Sequence, residues 1–280
     1  MNQSQLTSIS DAFESDFNGA DFDIVERDSV PSLDDLPRGK AARLTSVGYL
    51  FFDIRGFTAW AEGRHDKTVF KVLHPALAAL ARAARLHDGF IEKPTGDGLM
   101  ILIGAKETDP ERVAYSTLEC AVDIAAVFTT VVVPFFKRKG YVTDDFGFGI
   151  GVEMGDALIT KVGIRGHDFL SSIANAANRA SKLENAASRG QILVGQTLCD
   201  TAPQSVRDGA LALVGQVAGR NAYSLEYAID KDGSPEPIAK FLSREQIGRF
   251  DAQRWLLGAV ALGAIAGATV AKAHRFFGKG

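Results

Sequence analysis

Residues 46–54, SVGYLFFDI, constrain the fold most strongly, because almost every side chain in this segment is apolar, aromatic or β-branched. Such a run is typical of a strand buried on both faces at the centre of a sheet. Near its end the segment carries a carboxylate, Asp53. Burying a carboxylate costs free energy unless a cation or hydrogen-bond donors compensate it. We therefore expect a sheet built around this strand, with a polar site at the strand's end.

Helix and strand patterns alternate along the rest of the chain. The predicted elements are a helix over 66–86 capped by Asp66 and kinked or split at Pro75, strands over 89–94 and 99–104, a helix from Asp109 that stops before Pro134, strands over 145–155 and 157–163, a helix over 172–188, and a strand over 191–195. The order β-α-β-β-α-β predicts an α+β fold. Its core is a ferredoxin-like antiparallel sheet with helices on one face.

Charge and cysteine content exclude some classes of function. The formal net charge of −3 gives no basic surface for non-specific nucleic-acid binding, so no nucleic-acid partner is expected. The two cysteines, Cys120 and Cys199, are far apart and lack CxxC spacing. They are predicted to be free thiols in a reducing compartment rather than a disulfide or a zinc site.

The composition divides the chain into four segments. Residues 1–44 are predicted to be largely irregular, 45–228 to form the folded domain, 229–253 a linker and 254–274 an apolar C-terminal helix. The uncharged run WLLGAVALGAIAGATVA is near the lower length limit of a membrane span and contains GxxxG, which favours helix packing in membranes. The interpretation is either a transmembrane tail anchor or a soluble helix packed on a partner.

Two aspartates are the strongest candidates for chemistry. Asp53 ends the apolar strand, and Asp97 lies in the turn Thr95-Gly96-Asp97-Gly98 between the two hairpin strands. Taken alone, Asp53 is either a loop cap or a ligand, and an Asp-Gly pair is what a hairpin turn requires in any case. The predicted strand order brings the two carboxylates to one end of the sheet, where a pair of divalent cations would relieve their repulsion.

Three polar residues further along the chain are weaker candidates. Asn178 and Lys182 are four residues apart on a predicted helix and share a face, which is usually solvated. Ser171 follows the polar stretch Arg165-Gly166-His167-Asp168. That region either lines a site or forms a turn.

Four segments together resemble the class III nucleotidyl cyclase catalytic domain over about residues 45–228. They are FFDIRGFT (51–58), KPTGDG (93–98), GIGVEMGDALITKVG (149–163) and NRASKLE (178–184). The resemblance implies conversion of a nucleoside triphosphate into a 3′,5′-cyclic nucleotide with two divalent metal ions, Mn²⁺ or Mg²⁺. It also implies a homodimer with shared active sites. The implied roles are metal binding by Asp53, Asp97 and the Ile54 carbonyl, phosphate binding by Gly56, Phe57 and Thr58, base binding by Lys93 and Ser171, and catalysis by Asn178 and Lys182.

Two positions depart from the usual pattern of this family. The position of Lys182 is usually arginine, and lysine lacks the planar fork of donors. The position of Ser171 is usually Asp or Thr in adenine-selective members. With a VPS-x-D segment, ITKVG and N-x-A-S-K-L, the chain is similar to the pyrimidine cyclases of bacterial anti-phage (Pycsar) systems.

That similarity implies cUMP or cCMP as the product and a downstream cyclic-nucleotide-binding effector. The alternatives are an adenylate cyclase, or a degenerate cyclase-like module that binds nucleotide without turnover. Residues 1–29 lack the apolar core of a secretory signal. The catalytic domain is therefore expected in the bacterial cytoplasm, either anchored to the inner membrane by the C-terminal helix or, if that helix is soluble, free in the cytoplasm.

Overall fold

The computed structural model describes residues 23–26, 36–104, 107, 109–142, 146–164, 167–229 and 235–237. The strands are β1 Asp23–Glu26, β2 Lys40–Arg55, β3 Phe90–Pro94, β4 Gly98–Ile103, β5 Gly147–Ile164, β6 His167–Ile173, β7 Gln191–Gly195, β8 Leu211–Val217, β9 Arg220–Leu225, β10 Tyr227–Ile229 and β11 Pro235–Pro237. The helices are α1 Phe57–Ala61, α2 Asp66–Arg85, α3 Pro110–Val127, α4 Val133–Arg138, α5 Asn175–Ala186, α6 Gln196–Thr201 and α7 Gln204–Ala210. Strands β10 and β11 pair with each other, apart from the main sheet.

The main sheet has nine strands, in the order β3-β4-β2-β5-β7-β9-β8, with β1 paired to β2 and β6 to β5. The inner order β3-β4-β2-β5 is that of a ferredoxin-like core, which confirms the predicted fold class. Most ladders are antiparallel, as expected, while β1 with β2 and β5 with β7 are parallel. Strand β2 begins at Lys40, before the predicted domain start at residue 45.

Helices cover both faces of the sheet, whereas the sequence predicted them on one. Alternate residues of β2 point to opposite sides, so Leu50, Phe52 and Ile54 pack with α2 and α3 in the larger core. Tyr49 packs on the other side with Ala176 of α5 and its neighbours. Helix α5 has an alanine-rich buried side, and that is why it can lie close to the strands.

The helix boundaries differ from the predictions at two prolines and one cap. Helix α2 runs through Pro75 as a single helix, and its N-cap is His65, whose ring accepts from the Lys67 N–H, rather than Asp66. The next helical run continues past Pro134, because a π-helical turn over Phe128–Val132 precedes α4. A widened turn of this kind accommodates the missing proline N–H.

Strand boundaries also differ. The two strands predicted over 145–155 and 157–163 form one continuous strand, β5. The predicted helix over 172–188 begins only at Asn175, because residues up to Ile173 extend β6 alongside β5. Ser171 is therefore in a strand and not in a turn. The predicted cap of α3 is confirmed by the Glu111 N–H, which donates to Asp109 Oδ1 at 3.0 Å.

Within the described residues, the helical run Pro110–Arg138 is long and apolar enough to cross a membrane, with a mean hydropathy of 1.8. Of the most apolar stretch of this run, 61% is buried inside the domain, so the run is a core helix of the domain. The predicted tail anchor over 254–274 lies outside the described residues. So does the predicted linker over 229–253, except for Ile229 and Pro235–Pro237, which belong to the paired strands β10 and β11 rather than to an irregular linker. Cys120 and Cys199 are both buried free thiols, as predicted.

Candidate active site

The fold places Asp53 and Asp97 side by side. In the ladder between β2 and β4, Asp53 is opposite Gly98, and Asp97 directly precedes Gly98 in the hairpin turn. The Asp53 carboxylate is close enough to contribute to a raised pKa of the Asp97 carboxyl. A side chain at Gly98 would overlap the Phe52 carbonyl oxygen and the Thr95 hydroxyl. The absence of a side chain at Gly98 therefore allows the hairpin turn to approach β2 closely and places Asp97 beside Asp53.

The charges around this pair are unbalanced. Burial, and then the charge of Asp53, raise the pKa of Asp97. Arg55 offsets these acids: its Nη1 donates to Asp53 Oδ2 at 2.8 Å, and its other terminal nitrogen lies 2.8 Å from Glu184 Oε1. Burial raises the pKa of Glu184, while Arg55 opposes that shift. Three acids thus share one arginine.

Sequence reasoning missed Arg55 and Glu184. Arg55 also donates to the backbone carbonyls of Glu184 and Ala187, so it ties the end of β2 to the end of α5. Its guanidinium lies over Gly149 of β5, where any side chain would collide with it. A sequence signal existed, because Glu184 follows Leu183 on the side of α5 that is otherwise apolar. A carboxylate there implies a buried partner.

The donors fit hard divalent cations. Asp53, Asp97 and the Ile54 carbonyl offer only oxygen atoms, which suit Mg²⁺ and Mn²⁺. The described residues contain no group of three or more His, Cys, Asp or Glu that could hold a metal ion. Asp53, Asp97 and the Ile54 carbonyl would supply part of the roughly six oxygen ligands that such a cation takes.

The turn after Asp53 leads into a short helix. Gly56 has φ 90° and acts as the N-cap of α1, a left-handed conformation that favours glycine. The first N–H groups of a helix have no partner within it, so those of Phe57 and Thr58 can face an anion. The Phe57 ring is buried against Trp60 and Phe146, which anchors the turn. The cradle predicted over 56–58 is thus next to the paired aspartates.

Lys93 and Ser171 belong to strands that do not pair in the sheet, yet their neighbours are in contact. Glu92 of β3 accepts hydrogen bonds from both the N–H and the hydroxyl of Ser172 in β6. Lys93 is exposed and Ser171 is half-buried. The structure therefore brings together the two strands that carry the predicted base-binding residues.

Asn178 and Lys182 are on the exposed side of α5. Neither side chain has a hydrogen bond or ion pair within the described part of the chain. Lys182 lines a shallow cleft with Arg179, Arg220 and the buried Glu153. The Nε of Arg179 lies 3.2 Å from Glu153 Oε2. The structure thus leaves the two predicted catalytic residues facing outward instead of joining them to Asp53 and Asp97.

Comparison with known proteins bears on this arrangement. The profile of the adenylate and guanylate cyclase catalytic domain matches residues 40–210. Among solved structures, the adenylyl cyclase CyaB from P. aeruginosa superimposes with a TM-score of 0.61 at 21% identity, covering 69% of this chain and 98% of that one. That likeness supports the fold.

Sequence relatives carry names with different bases. The uridylate cyclase of Rhodovulum sp. (strain MB263) is 29% identical over 185 residues, which are 64% of this chain and 75% of that protein. The adenylate cyclase of Anabaena cylindrica is 29% identical over 149 residues, and the chain spans 28% of its length. The cytidylate cyclase of Escherichia coli is 25% identical over 232 residues, which are 79% of this chain and 47% of that protein. The family profile covers more than half of the chain, and the chain therefore belongs to the adenylate and guanylate cyclase catalytic domain family, as the resemblance predicted.

Proposed function

We propose that this chain converts a nucleoside triphosphate into a 3′,5′-cyclic nucleotide and diphosphate at the Asp53–Asp97 site. The observation that carries the proposal is the close placement of these two carboxylates beside a single bonded arginine, Arg55. Repulsion between the two carboxylates costs folding stability. A function that requires both acids explains why they are placed together. The adjacent helix start at Gly56 supports the phosphate-binding role that the resemblance assigns to Gly56, Phe57 and Thr58.

In the proposed reaction the ribose 3′-oxygen bonds to the α-phosphorus and releases its proton to solvent water. The bond from that phosphorus to the oxygen bridging the β-phosphate breaks, and diphosphate leaves with the electron pair. Two divalent ions, Mn²⁺ or Mg²⁺, held by Asp53, Asp97 and the Ile54 carbonyl, would lower the pKa of the 3′-hydroxyl and bind the leaving-group oxygens. Asn178 orients the ribose, and Lys182 supplies positive charge at the α-phosphoryl group.

A homodimer completes this site. Asn178 and Lys182 are exposed, and within the described residues they make no hydrogen bond or ion pair in their own chain. Facing outward, they are available to the aspartates of a second copy. A twofold pairing then gives two equivalent sites, each with the acids of one subunit and the α5 residues of the other.

We further propose a pyrimidine triphosphate as the substrate. Relatives named uridylate and cytidylate cyclases support this choice, at 25–29% identity for the first two. Ser171, a short residue in the position that the resemblance assigns to base reading, also supports it. By the same resemblance the product would act in anti-phage defence through a separate effector protein. The Anabaena relative keeps an adenylate cyclase as the second candidate.

Direct product analysis tests both levels of the proposal. The full-length protein is incubated separately with ATP, GTP, CTP and UTP plus Mn²⁺, and the products are identified by mass spectrometry. We expect cUMP or cCMP as the main product. cAMP as the main product would contradict pyrimidine specificity alone. No cyclic product from any of the four would contradict the enzyme and support a nucleotide-binding module.

A further inference from the structure

A polar contact links β3 to β6 across the face of the sheet that α5 covers. Glu92 Oε1 accepts from the Ser172 N–H at 3.0 Å, and Glu92 Oε2 accepts from the Ser172 hydroxyl at 2.5 Å. Strands β4, β2 and β5 separate β3 from β6 in the sheet, so no ladder joins them. The contact between Glu92 and Ser172 is therefore a specific tie between two distant strands.

The direction of the Glu92 side chain comes from an irregularity in its strand. The register between β3 and β4 shifts between Ile91 and Lys93, which leaves Glu92 as the extra residue of a β-bulge. A bulge aims its residues away from the regular alternation, and bulges are common beside active sites. Here it directs Glu92 toward β6 and places Lys93 immediately after the bulged position.

The surroundings of the contact strengthen it. Tyr49 of β2 is fully buried, with its hydroxyl beside Ser172 and Glu92. Burial raises the pKa of Tyr49, the neighbouring Ser172 side chain opposes that shift, and the negative charge of Glu92 adds to it. Leu170 and Phe90 pack against the same cluster. Charged hydrogen bonds in such a partly apolar environment are strong and directional.

We propose that Glu92 is a positioning residue that sets base selectivity. By holding Ser172 with two hydrogen bonds, it fixes the separation between Ser171, the preceding residue of β6, and Lys93, the following residue of β3. This inference rests on the proposed function, because Lys93 and Ser171 read the base only in a cyclase. It adds a residue to which the sequence resemblance gave no role. A purely structural tie would hold the strands without affecting which base is bound.

The test compares base selectivity in four variants of the full-length protein. Glu92→Ala and Ser172→Ala remove the contact, Ser172→Thr keeps the hydroxyl, and Glu111→Gln changes an exposed glutamate on α3 as a matched control. The catalytic measurement is kcat/KM for each of ATP, GTP, CTP and UTP. The binding measurement is the Kd of the four α,β-methylene analogues, which bind but cannot be cyclised.

We expect the ratio between the preferred nucleotide and the next best to fall by about tenfold or more in Glu92→Ala and Ser172→Ala. Ser172→Thr and Glu111→Gln should stay within about twofold of the wild type. Unchanged ratios together with a lowered Tm would overturn the inference, because the contact would then be structural only.

The binding measurement separates this inference from the cyclase proposal. A wild type that cyclises nothing, but binds one analogue with a preference that Glu92→Ala removes, supports the positioning role and contradicts the cyclase. Equal binding of all four analogues by wild type and Glu92→Ala would overturn the positioning role.

Discussion

Asp53 has glycine opposite it in both of its ladders, Gly98 in β4 and Gly149 in β5. The space left by Gly98 lets the hairpin approach β2 closely, and the space left by Gly149 holds the Arg55 guanidinium. The two glycines thus leave room beside Asp53 for a second carboxylate on one side and for the Arg55 cation on the other. A hairpin turn that served only to reverse the chain would need neither clearance.

Gly98→Ala should disrupt the site. The new methyl group would overlap the Phe52 carbonyl oxygen, so the hairpin must shift. We expect a loss of about 1–3 kcal/mol in unfolding free energy, measured by urea titration, and a large loss of cyclase activity. Gly96 has φ 80° and open space around it, so Gly96→Asn is the matched control. Asparagine tolerates that conformation, and equal losses in both variants would contradict the packing argument.

Arg55→Ala should destabilise the fold through Glu184. The Glu184 side chain is only 11% exposed and would lose its ion-pair partner. Leaving a buried carboxylate uncompensated costs about 2–4 kcal/mol of unfolding free energy. The double variant Arg55→Ala/Glu184→Gln should recover part of that loss, because the neutral amide needs no counter-charge. A double-mutant cycle that is simply additive would show that the two residues are not coupled.

Mixing inactive variants should restore activity if the site is shared between subunits. Asp53→Ala and Lys182→Ala are each expected to be inactive alone. When they are co-expressed, random pairing makes half of the dimers mixed, and each mixed dimer has one intact site of two. We expect about a quarter of wild-type activity. No restoration, with mixed dimers shown to form by differential tags, would place both residues in one subunit's site.

The two thiols should be unreactive in the native protein. Burial raises the pKa of both Cys120 and Cys199, and only the thiolate reacts with disulfide reagents. Modification by such a reagent should therefore stay slow as the pH rises through about 8–9, where exposed thiols ionise. Unfolding in urea should make both thiols react quickly with the same reagent. A fast native reaction at that pH would contradict the buried placement.

Most of the fold could be predicted from short-range patterns in the sequence. The apolar run of β2, the Asp-Gly turn and the cap at Asp109 are short-range patterns, and the strand order follows from their sequence. The features that sequence reasoning got wrong depend on tertiary contacts. The π-helical turn before Pro134 and the merging of two predicted strands into β5 are set by packing and pairing with distant residues.

The same division holds for the site. The neighbouring positions of Asp53 and Asp97 could be predicted, because strand order and one turn determine them. The contacts of Arg55 with Glu184 and of Glu92 with Ser172 join residues that are 129 and 80 positions apart. The bulge that aims Glu92 leaves no clear pattern in the sequence. The roles assigned to Asn178, Lys182, Lys93 and Ser171 stay predictions.

The most direct test of the account is the stoichiometry of product formation in wild type and Asp53→Ala. Cyclic nucleotide and diphosphate are measured from the same reaction with Mn²⁺, and circular dichroism and Tm confirm that both proteins are folded. We predict equal amounts of the two products from the wild type and none from Asp53→Ala. Cyclic product at wild-type rate from folded Asp53→Ala would contradict the assignment of this carboxylate to the active site.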